Sequence, residues 1–323
     1  MKALSVFSGG LDSMLASVLI KAQGIEVQAF FFETPFFSSP KAIKSAETIN
    51  LPIKVVDITE RHLEVVKRPK HGYGGNMNPC IDCHTLMLHM AGEMLQEEKA
   101  SFIISGEVLG QRPMSQNRKA LSLIADESGF EGLILRPLSA RHLPLTIPEK
   151  KGWIKRDELM DFSGRSRKPQ MELAKRFNMK EYPSPAGGCL LTDVVFSRRL
   201  KDLLYRETNI ERREIELLRL GRHFRFGPKE KLIVGRNQKE NQAISSLSKE
   251  DDLLLRTMSV PGPTALAIGK PSRESEELAT TIVVSYSDAD DNEMTEVRLI
   301  TKGKDKLLKA KGRDKNEFKK YMI

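Results

Sequence analysis

The chain has 323 residues, of which 40% are hydrophobic, 29% charged and 6% aromatic. That is an ordinary globular composition, long enough for two domains and unlike a disordered, collagen-like or coiled-coil chain. The formal net charge is +9, and residues 1–150 carry equal numbers of acidic and basic side chains, so the whole excess falls in 151–323 and points to a polyanionic partner.

Strands and helices alternate from the start. Residues 3–7 read as a buried strand, Ser8-Gly9-Gly10 as a turn, and 11–23 as a helix with Leu11, Leu15, Val18 and Leu19 on one face, stopped by Gly24. Strands are expected at 27–32, 53–58, 102–106 and 133–137, with helices at 41–50 and 84–98. This alternation predicts a parallel sheet in an α/β domain. Residues 68–79 break it with Pro69, Gly72, Gly74, Gly75 and Pro79. A basic stretch with a short helix near 156–162 follows, then a turn-rich piece, 182–188, that leads into Cys189. Residues 192–220 are helical in pattern, and β-type segments are expected at 231–235, 265–268 and 280–284. Three regions result: an α/β domain over 1–165, a basic connector with Cys189 and a long helix over 166–223, and a smaller α+β domain over 224–323. The N-terminal apolar stretch is too short for a secretory signal, and no apolar run approaches the ~18 residues of a membrane helix. A cytoplasmic protein with no membrane partner is expected, and its oligomeric state is not legible.

The hexamer Ser8-Gly9-Gly10-Leu11-Asp12-Ser13 lies between a strand and a helix. Its glycines let backbone approach a phosphate, helix N-terminal amides point at it, and hydroxyls add donors. It lacks the Lys-Ser/Thr ending of a Walker A loop, and it resembles the pyrophosphate-binding loop of the ATP pyrophosphatase (PP-loop) superfamily. A second motif, Ser105-Gly106-Glu107-Val108-Leu109-Gly110-Gln111-Arg112-Pro113-Met114-Ser115-Gln116, follows the fourth strand at the sheet edge where open α/β sheets bind ligands. It is similar to a stretch of the tRNA 4-thiouridine synthetases of that superfamily. The resemblance covers about residues 1–180. It implies an adenine nucleotide α-hydrolase-like (HUP) domain that cleaves ATP between its α- and β-phosphates. Ser8, Gly9, Gly10, Leu11, Asp12, Ser13, Gly106, Gln111, Ser115 and Gln116 would then line the nucleotide and target-base pocket, with Asp12 positioning Mg²⁺.

Asn78-Pro79-Cys80-Ile81-Asp82-Cys83-His84 contains a Cys-x-x-Cys, and Cys189 stands alone downstream. All three cysteines fall in Pro/Gly-rich loops by pattern, and they are too few for a disulfide scaffold. They suit, in order of preference, three corners of a [4Fe–4S] cluster with one open iron, a persulfide carrier with a resolving thiol, or Cys₃His zinc completed by His84, His71 or His89, with incidental thiols ranked last. Several cluster-dependent tRNA thiolases, which the chain resembles, pair this cysteine layout with the same loop. The 4-thiouridine synthetases that carry their persulfide on a C-terminal rhodanese domain differ, since no cysteine follows Cys189. His62, His142 and His223 are single and unpatterned, and read as structural or surface residues.

In the last region Gly227-Pro228-Lys229, Val234-Gly235-Arg236-Asn237, Glu240-Asn241 and Pro261-Gly262-Pro263 occur in an order that resembles an NFACT-type RNA-binding domain. Lys229, Arg236 and Asn237 are expected to meet phosphates, together with Arg165, Arg167, Lys168, Arg198 and Arg199 in the connector. The reading is an ATP-dependent tRNA sulfurtransferase. It would adenylate a uridine carbonyl and displace AMP with sulfur held at Cys80, Cys83 and Cys189, taken from sulfide or a cysteine desulfurase. 4-Thiouridine is the first expectation. 2-Thiouridine, and a cysteine-independent amide ligase of the same superfamily, are the alternatives.

Overall fold

The computed structural model describes residues 1–184, 189–207, 210–290, 292–301 and 304–323. The chain divides into two compact units, Met1–Thr192 and Asp193–Ile323. The glycine-rich lead into Cys189, residues 185–188, lies outside the described residues.

The first unit holds β1 (Lys2–Val6), β2 (Glu26–Glu33), β3 (Ile53–Asp57), β4 (Phe102–Ser105) and β5 (Ile134–Leu135). All pair in parallel, in the order β3-β2-β1-β4-β5. Consecutive side chains on a strand face opposite sides. Ala3, Phe31 and Phe102 therefore join one core with Leu11 and Leu15, while Leu4, Phe30 and Ile103 join another with Leu88 and Ile124. Helices α1 (Leu11–Ala22), α2 (Pro40–Thr48), α3 (Thr59–Lys67), α4 (Cys80–Glu93), α5 (Arg118–Glu127), α6 (Ile147–Lys150) and α7 (Lys168–Arg176) complete the unit. The connections leave β1 in opposite directions, through β2 on one side and β4 on the other. That switch point is where such a sheet opens a crevice at its carboxyl edge.

Three expectations shift here. The helix predicted from residue 84 begins at Cys80, so Cys80 and Cys83 sit in the first turn of α4 rather than in a loop. Pro79 ends the turn-rich run and its carbonyl accepts the Cys83 amide at 2.9 Å. Asp82 then fastens the preceding loop by accepting from the Lys70 and His71 amides at 3.1 and 3.2 Å. The helix expected near 156–162 is a single 3₁₀ turn, Arg156–Glu158, and the fifth strand contracts to two residues.

The second unit contains α8 (Val194–Arg206), α9 (Arg212–Leu217), β6 (Arg222–Arg225), β7 (Lys231–Val234), α10 (Gln238–Ser246), β8 (Leu253–Thr257), β9 (Ala265–Ile268), α11 (Arg273–Ser285), β10 (Thr295–Thr301) and β11 (Lys304–Ala310). Its six strands form an antiparallel sheet, β11-β10-β8-β9-β7-β6. The segment 280–284, read as a strand from its β-branched residues, is the end of α11. Ser272 caps that helix, accepting from the Ser275 amide at 3.2 Å. Ser275, Ala279, Ile282 and Val283 are buried at helical spacing. The helical stretch 192–220 is two helices, α8 and α9. The region expected as a connector thus supplies α7 and Cys189 to the first unit and α8 and α9 to the second.

Candidate active site

The loop after β1 is preorganised for an anion. Gly10 is the N-cap of α1 and brings no side chain to the helix end, so the first-turn amides stay open to a ligand. Gly9 has φ +75°, and a Cβ there would lie 2.6 Å from Ala42 Cα, so no other residue fits. Ser8 Oγ accepts from the Gly10 amide and donates to Ser13 Oγ, both at 3.3 Å, and Ser13 Oγ donates to the Gly10 carbonyl at 2.9 Å. Asp12 accepts from Gln111 Nε2 through Oδ2 at 2.8 Å. Its Oδ1 is buried with no hydrogen-bond partner among the described residues. An orphaned carboxylate oxygen beside a phosphate loop suits Mg²⁺, a hard cation that takes oxygen ligands.

The second motif is pressed onto the first. At Gly106 a Cβ would stand 2.6 Å from the Ser13 amide nitrogen and 2.8 Å from the Asp12 carbonyl carbon. Gln111 links Asp12 to Gln170 on α7, whose Nε2 donates to Gln111 Oε1 at 3.4 Å. Gln116 lines the same cavity as the loop. Ser115 is fully buried beside it in sequence and is not among the cavity-lining residues.

That cavity, about 470 Å³, is lined by the whole hexamer 8–13, by Gly106, Gln111 and Gln116, and by Cys80, Cys83 and Cys189. Lys41, Arg112 and Arg167 bring cations to its wall. Burial raises all three thiol pKa values, charge on Cys80 adds to the rise at Cys83 and Cys189, and charge on Cys189 adds to it at Cys83. Arg112 offsets this at Cys80 and Cys189. Cys83 also lies 2.9 Å from His62 Nε2. Burial lowers the His62 pKa to about 4, so this is a contact between neutral thiol and neutral imidazole at neutral pH. Sequence reasoning left His62 without a role, because its partner lies on another helix.

His84 is the second residue that pattern alone placed poorly. Its Nδ1 is 2.7 Å from Glu107 Oε1, and Arg136 Nε donates to Glu107 Oε2 at 2.8 Å. Burial would raise the Glu107 pKa, but Arg136 and His84 hold it down at about 2. His71 and His89 pair instead with Glu127 at 2.9 Å and with the Ser128 carbonyl at 2.9 Å, and neither lines the cavity. Among the described residues no three His, Cys, Asp or Glu side chains converge closely enough for one metal ion. A Cys₃His zinc site is therefore not preassembled. Three thiols lining one cavity are the donor type that an iron–sulfur cluster takes, and its ligands bind separate irons and need not meet at a point.

The candidate phosphate contacts divide. Arg165, Lys168, Arg198 and Lys229 are exposed. Arg167 instead reaches the cavity, with its Nε buried and without a partner among the described residues. Arg199 is buried and donates to the Leu218 and Gly221 carbonyls at 2.7 and 3.0 Å. It is a structural cross-link and not a surface cation, because the apolar face of α8 carries it inward. Arg236 is held by Glu240, and Asn237 Oδ1 caps α10 by accepting from the Glu240 amide at 3.0 Å.

The site thus belongs to a doubly wound α/β unit in which a glycine-rich strand–helix loop and three thiols share one cavity, followed by an antiparallel α+β unit. Residues 1–142 match the family described as Thiamine biosynthesis protein (ThiI), and residues 221–322 match the NFACT protein RNA binding domain. The chain is similar to a probable tRNA sulfurtransferase of Geobacillus sp. (strain WCH70), 31% identical over 146 residues, 42% of this chain and 34% of the relative. It is also similar to a probable tRNA sulfurtransferase of Streptococcus sanguinis (strain SK36), 28% identical over 119 residues, 34% of this chain and 28% of the relative. The matched part thus spans about a third of each relative's length. A solved structure described as a predicted subunit of tRNA methyltransferase from Methanocaldococcus jannaschii aligns with a TM-score of 0.37 at 18% identity, over 55% of this chain and 76% of that one. Among the described residues no helix is long and apolar enough to cross a membrane.

Proposed function

We propose that the protein is an ATP-dependent tRNA sulfurtransferase that makes 4-thiouridine in the cytoplasm. One observation carries this reading: the phosphate loop and all three cysteines line a single cavity. The ThiI match and the RNA-binding match support it from opposite ends of the chain. ATP would lie with its phosphates on residues 8–13, where Asp12 Oδ1 would hold the Mg²⁺ that screens their charge. The uridine carbonyl oxygen attacks the α-phosphate and pyrophosphate leaves, which turns a poor leaving oxygen into AMP. Sulfur then attacks the activated carbon and AMP departs. A [4Fe–4S] cluster on Cys80, Cys83 and Cys189 would supply an open iron for inorganic sulfur. The chain's own part is to hold the thiols in a secluded site; burial raises their pKa values, so binding a cluster there would release their protons. Sulfide or a cysteine desulfurase serves as donor.

The test is anaerobic incubation with ATP, sulfide and tRNA transcripts, followed by nucleoside mass spectrometry and AMP quantification. The expected result is one AMP released per thionucleoside. Replacing any one cysteine with Ala removes the thionucleoside and the AMP released with it, and leaves pyrophosphate release, because adenylation precedes the sulfur step. Full turnover with all three replaced would place the chain with the cysteine-independent ligases instead.

A further inference from the structure

Helix α8, Val194–Arg206, lies between the two matched regions, 1–142 and 221–322, and neither assigns it a role. Its apolar side packs inward, with Phe196, Leu200 and Leu203 buried. The opposite side carries Val194, Arg198, Lys201 and Tyr205, all exposed. These four are spaced i, i+4, i+7 and i+11, so they form one stripe along the helix.

Tyr205 is 86% exposed, more than any other large apolar or aromatic side chain among the described residues. A single exposed ring is ordinary and implies nothing alone. Its neighbours give it meaning. Arg198 and Lys201 form no ion pair or side-chain hydrogen bond among the described residues. Arg206 places its guanidinium carbon 5.9 Å from the Tyr205 ring centre. Both carboxylates of this segment are engaged elsewhere. Asp193 Oδ1 accepts from the Phe196 amide at 2.7 Å as the helix cap, and Asp202 accepts from Arg206 and Arg225. The stripe therefore offers an open aromatic ring beside two uncompensated cations.

We infer that the outer face of α8 binds single-stranded RNA, with Tyr205 stacking on an unpaired base and Arg198 and Lys201 meeting the flanking phosphates. This rests on the RNA-partner part of the reading above, and goes beyond it by naming the strand form recognised and the ring that recognises it. Every base has a π-face, but inside a duplex both faces are covered by neighbouring pairs. An exposed ring can thus stack along a strand only where bases are unpaired. Cations alone hold phosphates of any strand, so the ring is what makes the difference. From Arg198 to Tyr205 the helix rises about 10 Å, the length of about three stacked nucleotides. A protein partner is the weaker fit, because the two apolar side chains of the stripe are separated by both charges.

The test uses the full chain and two fluorescent RNAs, a short unstructured single strand and a long blunt-ended duplex, with affinity read by anisotropy at fixed salt. Tyr205→Ala should weaken single-strand binding at least about fivefold and leave duplex binding within about twofold. Tyr205→Phe and Tyr205→Trp should keep the single-strand affinity, and Tyr205→Leu should behave like Tyr205→Ala, because stacking needs a ring rather than bulk. The salt slope of single-strand binding should be unchanged in Tyr205→Ala and should fall by about 1.4 when Arg198→Ala and Lys201→Ala are combined. Unchanged single-strand affinity in Tyr205→Ala overturns the inference, and so does an equal loss on the duplex, full rescue by Tyr205→Leu, or no RNA binding by the unaltered chain. A lower oligomeric state of Tyr205→Ala in sedimentation, with RNA affinity intact, would give the face to a second copy of the chain and overturn it as well. Thionucleoside formation is measured separately. Its absence alongside the expected affinities would sink the thiolation reading alone.

Discussion

A single added carbon tests the nucleotide end of the cavity. Gly106→Ala would put a methyl group into backbone that cannot swing away. AMP formation should fall about 10²-fold, the scale of an ångström-sized misplacement, while circular dichroism stays native. Glu107 is testable by pH. Its folded pKa of about 2 lies below the usual 4.5. The stabilisation is therefore complete above about pH 4.5 and is lost as pH falls towards 2, on the order of 3 kcal/mol. Denaturant unfolding should show this acid limb in the native chain and lack it in Glu107→Gln. Among the arginines, neighbours behave oppositely. Arg198→Ala should leave stability unchanged and reduce the salt slope of tRNA binding by about one. Arg199→Ala should destabilise by about 1–3 kcal/mol, since it strands the Leu218 and Gly221 carbonyls.

At the level of elements, legibility followed how local the cause was. The phosphate loop was readable because strand, turn and helix cap are contiguous from Lys2 to Ala22. The second motif was readable as a loop after a strand, but its contact with Ser13 needs the β1–β4 pairing, which joins residues about a hundred apart. The His84–Glu107–Arg136 chain spans three elements and left no local trace. Helix α11 was hidden because five β-branched or small residues in a row look like a strand in a short window. Only the wider set from Ser275 to Val283 shows helical spacing. Asn237 shows a polar residue doing local work where a ligand contact was expected. Asn237→Ala should cost about 1 kcal/mol in thermal unfolding and Asn237→Ser should recover most of it, the signature of a helix cap.

For the whole molecule, the charge of +9 overstates what an anionic partner can meet. Arg199 and Lys231 are buried, and burial draws the Lys231 pKa down to about 7. Exposed side chains such as Arg165, Lys168 and Arg198 are what the proposed RNA partner would meet, and its binding should then weaken steeply with salt. With six phosphate contacts, the affinity loss between 50 and 200 mM would be about 10³-fold. The packing of Gly106 on Ser13 has a consequence of another kind, for engineering. Two loops 93 positions apart meet without space for a methyl group, so they are a single part made in two pieces. Grafting either one from a relative should yield an inert chimaera, and grafting both together should transplant the nucleotide chemistry.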